Sequence, residues 1–219
     1  MILEFINVTG TSKKYALQDI TFSLEPGYIM GLAGKNGAGK STLLDYIMNP
    51  KQQYTGEIRI NGVNIRDDHR HMLNHLGFVS DNNSFLMDRT AEQNAEILGM
   101  LYDEWDKGVF YNAMKKMDLS VKKTLARMSR GELFKFQTAF AMAHKPSLYL
   151  IDEATAGMDP VFRIDYFKML QEIIADETAS VIMTSHIQDE IHGKMDYVGI
   201  MENGKLVKFG DTLSVFQEG

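Results

Sequence analysis

The run Gly34-Lys35-Asn36-Gly37-Ala38-Gly39-Lys40-Ser41 constrains this chain more than any other feature. It has the spacing G-x-x-x-x-G-K-[ST], follows an apolar, β-rich run at residues 28–33 and precedes residues 42–48, which pattern as a helix. A strand, a glycine-rich turn and a helix in that order bring backbone N–H groups and the positive end of a helix to one point. An anion such as a nucleotide phosphate is stabilised there. Residues 34–42, from Gly34 to Thr42, are therefore expected to line a phosphate site, with the Lys40 ammonium on the outer phosphates and the Ser41 hydroxyl on Mg²⁺. The bland alternative is a glycine-rich strand-to-helix turn without a ligand, and the matching strand and helix on either side weigh against it.

Such a loop calls for an acidic partner, and Leu148-Tyr149-Leu150-Ile151-Asp152-Glu153 supplies one. Four apolar residues read as a strand buried on both faces, and the two acids fall at its end. Asp152 is expected beside the metal and Glu153 beside the terminal phosphate.

Around these two points the chain alternates short β-rich runs with helical patterns, which predicts an α/β fold on a mainly parallel sheet. Strands are expected at 2–7, 20–24, 28–33, 57–60, 76–79, 148–151, 180–184, 197–201 and 205–209. Asn61-Gly62 and Asn203-Gly204 are two-residue hairpin signals, so an antiparallel portion is expected beside the parallel one. Residues 90–144 read differently, as an inserted α-helical subdomain within a core of 1–89 and 145–219; the whole, 1–219, is read as one domain. Trp105, Val109, Ala113 and Met117 fall at helical spacing there, and Thr90-Ala91-Glu92-Gln93 has the form of a capping box.

Composition narrows the function. A net charge of −6 and a pI near 5.5 argue against broad adhesion to nucleic acid, and none is expected as a partner. The absence of cysteine excludes disulfides, thiol nucleophiles and thiolate metal sites. No stretch has the eighteen or so consecutive apolar residues of a membrane helix, so the chain is expected to be soluble by itself.

With the phosphate loop and acidic strand in place, the chain resembles the ATP-binding subunit of an ATP-binding cassette (ABC) transporter, built on a P-loop NTPase core. Met128-Ser129-Arg130-Gly131-Glu132 stands where that family has its signature, usually Leu-Ser-Gly-Gly-Gln. Ala156-Gly157-Met158-Asp159 looks like the D-loop, and His186 looks like the switch histidine. The resemblance implies an ATPase that uses ATP and Mg²⁺. Two subunits, identical or different, would pair head to tail around two nucleotides and drive a separate integral-membrane permease from its cytoplasmic face. It implies Glu153 as general base, His186 as a γ-phosphate sensor, and Ser129 and Gly131 as donors to the partner's ATP. Ser129 has a blander reading beside this one, as the cap of a Ser-x-x-Glu capping box, and so does Asp159, as the cap before Pro160.

The pattern also departs from the family. Asp81 stands where a metal-contacting glutamine is expected, with Asn82 or Asn83 as substitutes if the register slips, and Asp81 is taken as a candidate Mg²⁺ ligand. The early aromatic that stacks on adenine is missing; Tyr15 is the candidate in its place. Arg130 and Glu132 replace signature residues in a way closest to the ATPase subunits of multidrug and peptide-antibiotic exporters. The alternative reading is a soluble ABC-type ATPase or nucleotide-responsive module acting on non-membrane partners. His69, His71 and His75 suggest a metal site if helical, but Asp67, Asp68 and Arg70 beside them favour a solvated face. Phe85, Trp105, Phe110 and Tyr111 are candidate apolar contacts to the permease, with core packing as the competing role.

Overall fold

A computed structural model describes residues 1–11, 17–82, 84–153, 155, 158–185 and 193–217. Tyr15, Asn83, Ala156, Gly157 and His186 lie outside the described residues, and so do the expectations placed on them.

Among the described residues the strands form two sheets. The first is antiparallel, in the order β2 (Ile20–Leu24), β1 (Leu3–Gly10), β4 (Tyr54–Ile60), β5 (Val63–Asn64). The Asn61-Gly62 turn joins its last two strands with both residues at positive φ, 50° and 78°. Two successive left-handed residues make the turn whose twist matches the flanking strands, which explains the Asn-Gly pair.

The second sheet runs β10 (Lys205–Asp211), β9 (Tyr197–Glu202), β3 (Ile29–Ala33), β8 (Ser180–Thr184), β7 (Leu148–Ile151), β6 (Leu76–Val79). All neighbours are parallel except β9 and β10, which the Asn203-Gly204 hairpin joins. β7 and β8 are buried at every residue, as strands covered on both faces must be, so their sequences read as unbroken apolar runs instead of alternating ones.

Two cores cover these faces. One packs the antiparallel sheet and helix α1 (Lys40–Met48) against Met30, Leu32, Leu148, Leu150 and Ile182. The other lies under the helix Pro160–Ile174, through Phe162, Tyr166, Phe167 and Leu170. That helix starts on the Asp159 cap, whose carboxylate accepts from Phe162 N at 2.9 Å, with proline in the first turn.

A third core is almost wholly internal to residues 91–143. It joins the helices Ala91–Leu98, Lys107–Lys116 and Arg130–Ala143, the last called α5 below. The Thr90 capping box forms as expected, with both reciprocal bonds. Of the residues at helical spacing in the sequence, Ala113 is buried in this core and Trp105 and Met117 pack against it, around the helix Lys107–Lys116. Trp105 precedes it, Met117 caps its end, and the residues it buries are Phe110, Ala113 and Met114. Phe110 is fully buried, so it contributes to this core and not to an outer contact. Phe85 is partly buried, with its ring against Phe136 and Phe140.

The short helix α2 (His69–His75) brings the His71 and His75 rings 4.2 Å apart. No group of three metal-ligating side chains gathers among the described residues.

Candidate nucleotide site

The site lies at the carboxyl ends of the parallel strands, where an open α/β sheet presents its crevice. Residues 34–39 leave β3, turn over its end and enter α1. Gly34 has φ 148°, and a Cβ there would meet the Met201 carbonyl oxygen at 2.5 Å. Gly39, the residue capping α1, has φ 110° and passes 3.3 Å from the Gly204 Cα at the position a Cβ would take. Only glycine fits at either place. The β9–β10 hairpin braces the loop from outside, with Gly204 N donating to Ala38 O at 2.8 Å. Loop and hairpin together enclose a cavity of about 420 Å³ lined by residues 34–38 and 200–203.

Lys40, 5% exposed, donates through Nζ to Gly34 O at 2.8 Å and Lys35 O at 3.3 Å, so its ammonium lies across the inside of the loop. Burial pulls its pKa down from the ordinary lysine value, while the charges of Glu153 and Asp152 oppose the shift. A buried ammonium facing two carboxylates, inside a ring of amide groups, is suited to polyanionic phosphate.

β8 lies between β3 and β7 in the sheet, and its last residue ties the two loops together. Thr184 Oγ1 donates to Asp152 Oδ1 at 2.7 Å and accepts from Glu153 N at 2.9 Å. The same Asp152 oxygen accepts from Ser41 Oγ at 3.3 Å. A hydroxyl and a carboxylate so close form a cluster of hard oxygens that fits a small divalent cation such as Mg²⁺. Glu153 has φ 52°, an uncommon conformation for a residue with a side chain, which persists only where its surroundings hold it.

Asp81, the other candidate metal ligand, is engaged differently. Both of its oxygens accept from Arg130, from Nε at 2.8 Å and Nη2 at 2.7 Å. That fork engages both carboxylate oxygens with one guanidinium.

Ser129 is the cap of α5. Its hydroxyl accepts from Glu132 N at 3.2 Å, and Glu132 Oε2 accepts from Ser129 N at 2.7 Å. Lys123 Nζ donates to both Glu132 oxygens at 2.8 Å. These bonds, the lysine's first, hold the Glu132 carboxyl below its ordinary pKa. The side where Gly131 would carry a Cβ faces the Phe162 ring at 3.2 Å, so its lack of a side chain serves the approach of α5 to the neighbouring helix.

Two residues that no motif pointed to complete the arrangement. Thr184 has no signal beyond a hydroxyl ending an apolar strand. Gln137 is 2% exposed on α5; its Oε1 accepts from Ser80 N and its Nε2 donates to Ser80 O, both at 3.0 Å. A lone amide among Phe134, Phe136, Ala139 and Phe140 is the sequence trace of that bond pair.

A second cavity of about 330 Å³ lies between the core and residues 84–144, lined among others by Leu73, Phe78, Phe85, Leu101, Tyr102 and Phe140. Of its lining residues Leu101 is 74% exposed, and its chain neighbour Met100 is 79% exposed. No helix among the described residues is long and apolar enough to cross a membrane.

Comparison with known proteins agrees with this geometry. The family profile described as ABC transporter matches residues 17–156. The chain is 28% identical over 202 residues to the ABC transporter ATP-binding protein YtrB of Bacillus subtilis, covering 92% of this chain and 69% of the relative. It is 27% identical to the bacitracin transport ATP-binding protein BcrA of Bacillus licheniformis, covering 93% and 68%. It is 29% identical to the methionine import ATP-binding protein MetN 1 of Pseudomonas fluorescens, covering 98% and 69%. A solved ATP-binding subunit of an ABC transporter superposes with a TM-score of 0.89 at 23% identity, covering 100% of this chain and 93% of that one, which shows the same fold.

Proposed function

Since the chain belongs to the ABC transporter family, as an ATP-binding and ATP-hydrolysing subunit, we propose that two such subunits close around two Mg-ATP molecules and that closing and reopening drive a separate membrane permease. The observation that carries this reading is the convergence of Ser41, Asp152 and Glu153 through Thr184 at the ends of three neighbouring strands, with the buried Lys40 ammonium inside the adjoining loop.

In this reading the loop amides and Lys40 bind the phosphates and stabilise charge on the transferred phosphoryl group. Ser41 and Asp152 would hold Mg²⁺, which when bound neutralises phosphate charge. Glu153 orients the attacking water and takes its proton. Ser129 and the first turn of α5 face the partner's nucleotide, where the helix dipole favours negative charge. Residues 90–144 act as a separate helical subdomain, supported by the internal core they enclose.

The permease would dock at the apolar cavity that Asn82, Ser84 and the exposed Leu101 line. The subunit would thus sit at the cytoplasmic face of the membrane through its partner. Export is the favoured direction, on the basic residue Arg130 in the signature; the relatives include one named for bacitracin transport and one for methionine import.

The test is a pull-down from detergent-solubilised native membranes with tagged Glu153→Gln and Mg-ATP. That variant should bind ATP, lose turnover by about 10²- to 10⁴-fold, and bring down a multi-span membrane protein in stoichiometric amount. Recovery of a soluble partner alone would favour the non-membrane alternative.

A further inference from the structure

The first residue of α5 reaches back to both loops of the core. Arg130 grips Asp81 with a two-nitrogen fork, and its Nη2 also donates to the Glu153 carbonyl oxygen at 3.0 Å. The guanidinium carbon lies 5.1 Å from the centre of the Phe134 ring, one turn further along the same helix. Asp81 is located in turn, because Gln137 on α5 binds the backbone of Ser80 on both sides.

The peptide that Arg130 touches is the unusual one. Glu153 holds a left-handed backbone, its N–H donates to Thr184 and its C=O accepts from Arg130. Both polar groups of that residue's backbone are therefore held by side chains, one from the core strand β8 and one from the signature helix. Loss of either removes one hold on that conformation and so shifts the carboxylate that the residue carries.

We propose that Arg130 is a positioning residue for Glu153, oriented by Asp81, so that turnover depends on how α5 sits against the core. The inference rests on Glu153 being the general base. Asp81 and Arg130 stand where the family resemblance led to an amide and a glycine, and the structure joins the two departures into one contact. A structural ion pair at this exposure contributes little to stability, so a purely structural role predicts near-normal turnover.

The experiment separates binding from chemistry in the full chain, by nucleotide titration and by steady-state and single-turnover hydrolysis. Arg130→Ala should lower kcat by about 10- to 100-fold, with KM and nucleotide Kd within about threefold of wild type. Asp81→Ala should fall in the same range, and the double variant should be no slower than the worse single one, because the residues act as a unit. Arg130→Lys keeps the charge without the fork and should lie between Ala and wild type; it also serves if the alanine variant folds poorly. On a Glu153→Gln background, Arg130→Ala should change the residual single-turnover rate by less than about threefold.

Wild-type kcat in Arg130→Ala would overturn the inference. So would a loss confined to KM, or a loss that persists in full on the Glu153→Gln background. If Glu153→Gln itself turned over normally, the base assignment would fail and this inference with it. Loss in Glu153→Gln beside normal turnover in Arg130→Ala would sink the inference alone.

Discussion

At the phosphate loop, geometry is set by backbone: glycines at positive φ, closely packed against the β9–β10 hairpin, at the end of strands buried on both faces. At the start of α5, comparable positions are set by side chains. Ser129 caps, Glu132 pairs with Lys123, and Arg130 pairs with Asp81, with the side chains of those two ion pairs 32% to 58% exposed. In the first region Gly34 and Gly39 tolerate few substitutions, because a side chain there meets the hairpin at a positive φ. The second depends on charge-assisted bonds that water and salt weaken. A site assembled from a rigid half and a charge-tethered half keeps its anion cradle preformed, while the tethered half can shift at small cost.

The largest effect expected outside Glu153, the proposed general base, is at Lys40. Lys40→Ala removes the buried ammonium that spans the loop, and hydrolysis should drop by about a hundredfold or more, with weakened ATP binding under identical Mg²⁺. An unchanged ATP affinity in equilibrium titration would break the contrast at its rigid end.

A smaller effect, and a sharper test, is at Gln137, where the helical region meets the core through buried neutral bonds. Gln137→Leu leaves the Ser80 N–H and C=O without their partners and should cost about 4 kcal/mol of stability. Because no charge is involved, urea unfolding should give the same loss at low and high salt. A strongly salt-dependent loss would mean that this joint belongs with the ion pairs.

The smallest is a pH effect at the far end of α5. His144 is buried against Tyr102, with ring centroids 3.9 Å apart, and burial pushes its pKa down to about 4; a bond to the Asn74 backbone offsets this only in part. Between pH 6.5 and 4 the unfolded chain binds the proton that the folded chain refuses. Stability is therefore full above about 6.5 and falls toward 4, by roughly 3 kcal/mol at most. His144→Phe keeps the stacking and removes the titration, so its unfolding midpoint should vary less across that window than the wild type's.

Much of this was legible in the linear chain wherever the chemistry is local. The phosphate loop, the acidic strand, the Asn-Gly hairpins and the Thr90 and Ser129 capping boxes all involve residues within a few positions of each other. Backbone sterics and short-range bonds dictate them whatever the rest of the molecule does. The extent of the helix Lys107–Lys116 was not legible. Trp105 extends its apolar pattern but leaves the helix to press its ring onto Gly99 and Phe140.

The longer links escaped for the same reason. Thr184 meets Asp152 across 32 positions, Arg130 meets Asp81 across 49, and Gln137 meets Ser80 across 57. The amino-acid order alone determined most of the strands and helices and that a glycine-rich loop would join β3 to α1. Only the tertiary structure decided which of the scattered polar side chains hold that loop's acidic partners in place. A hydroxyl, amide or guanidinium takes whichever partner the packing of distant elements brings within reach.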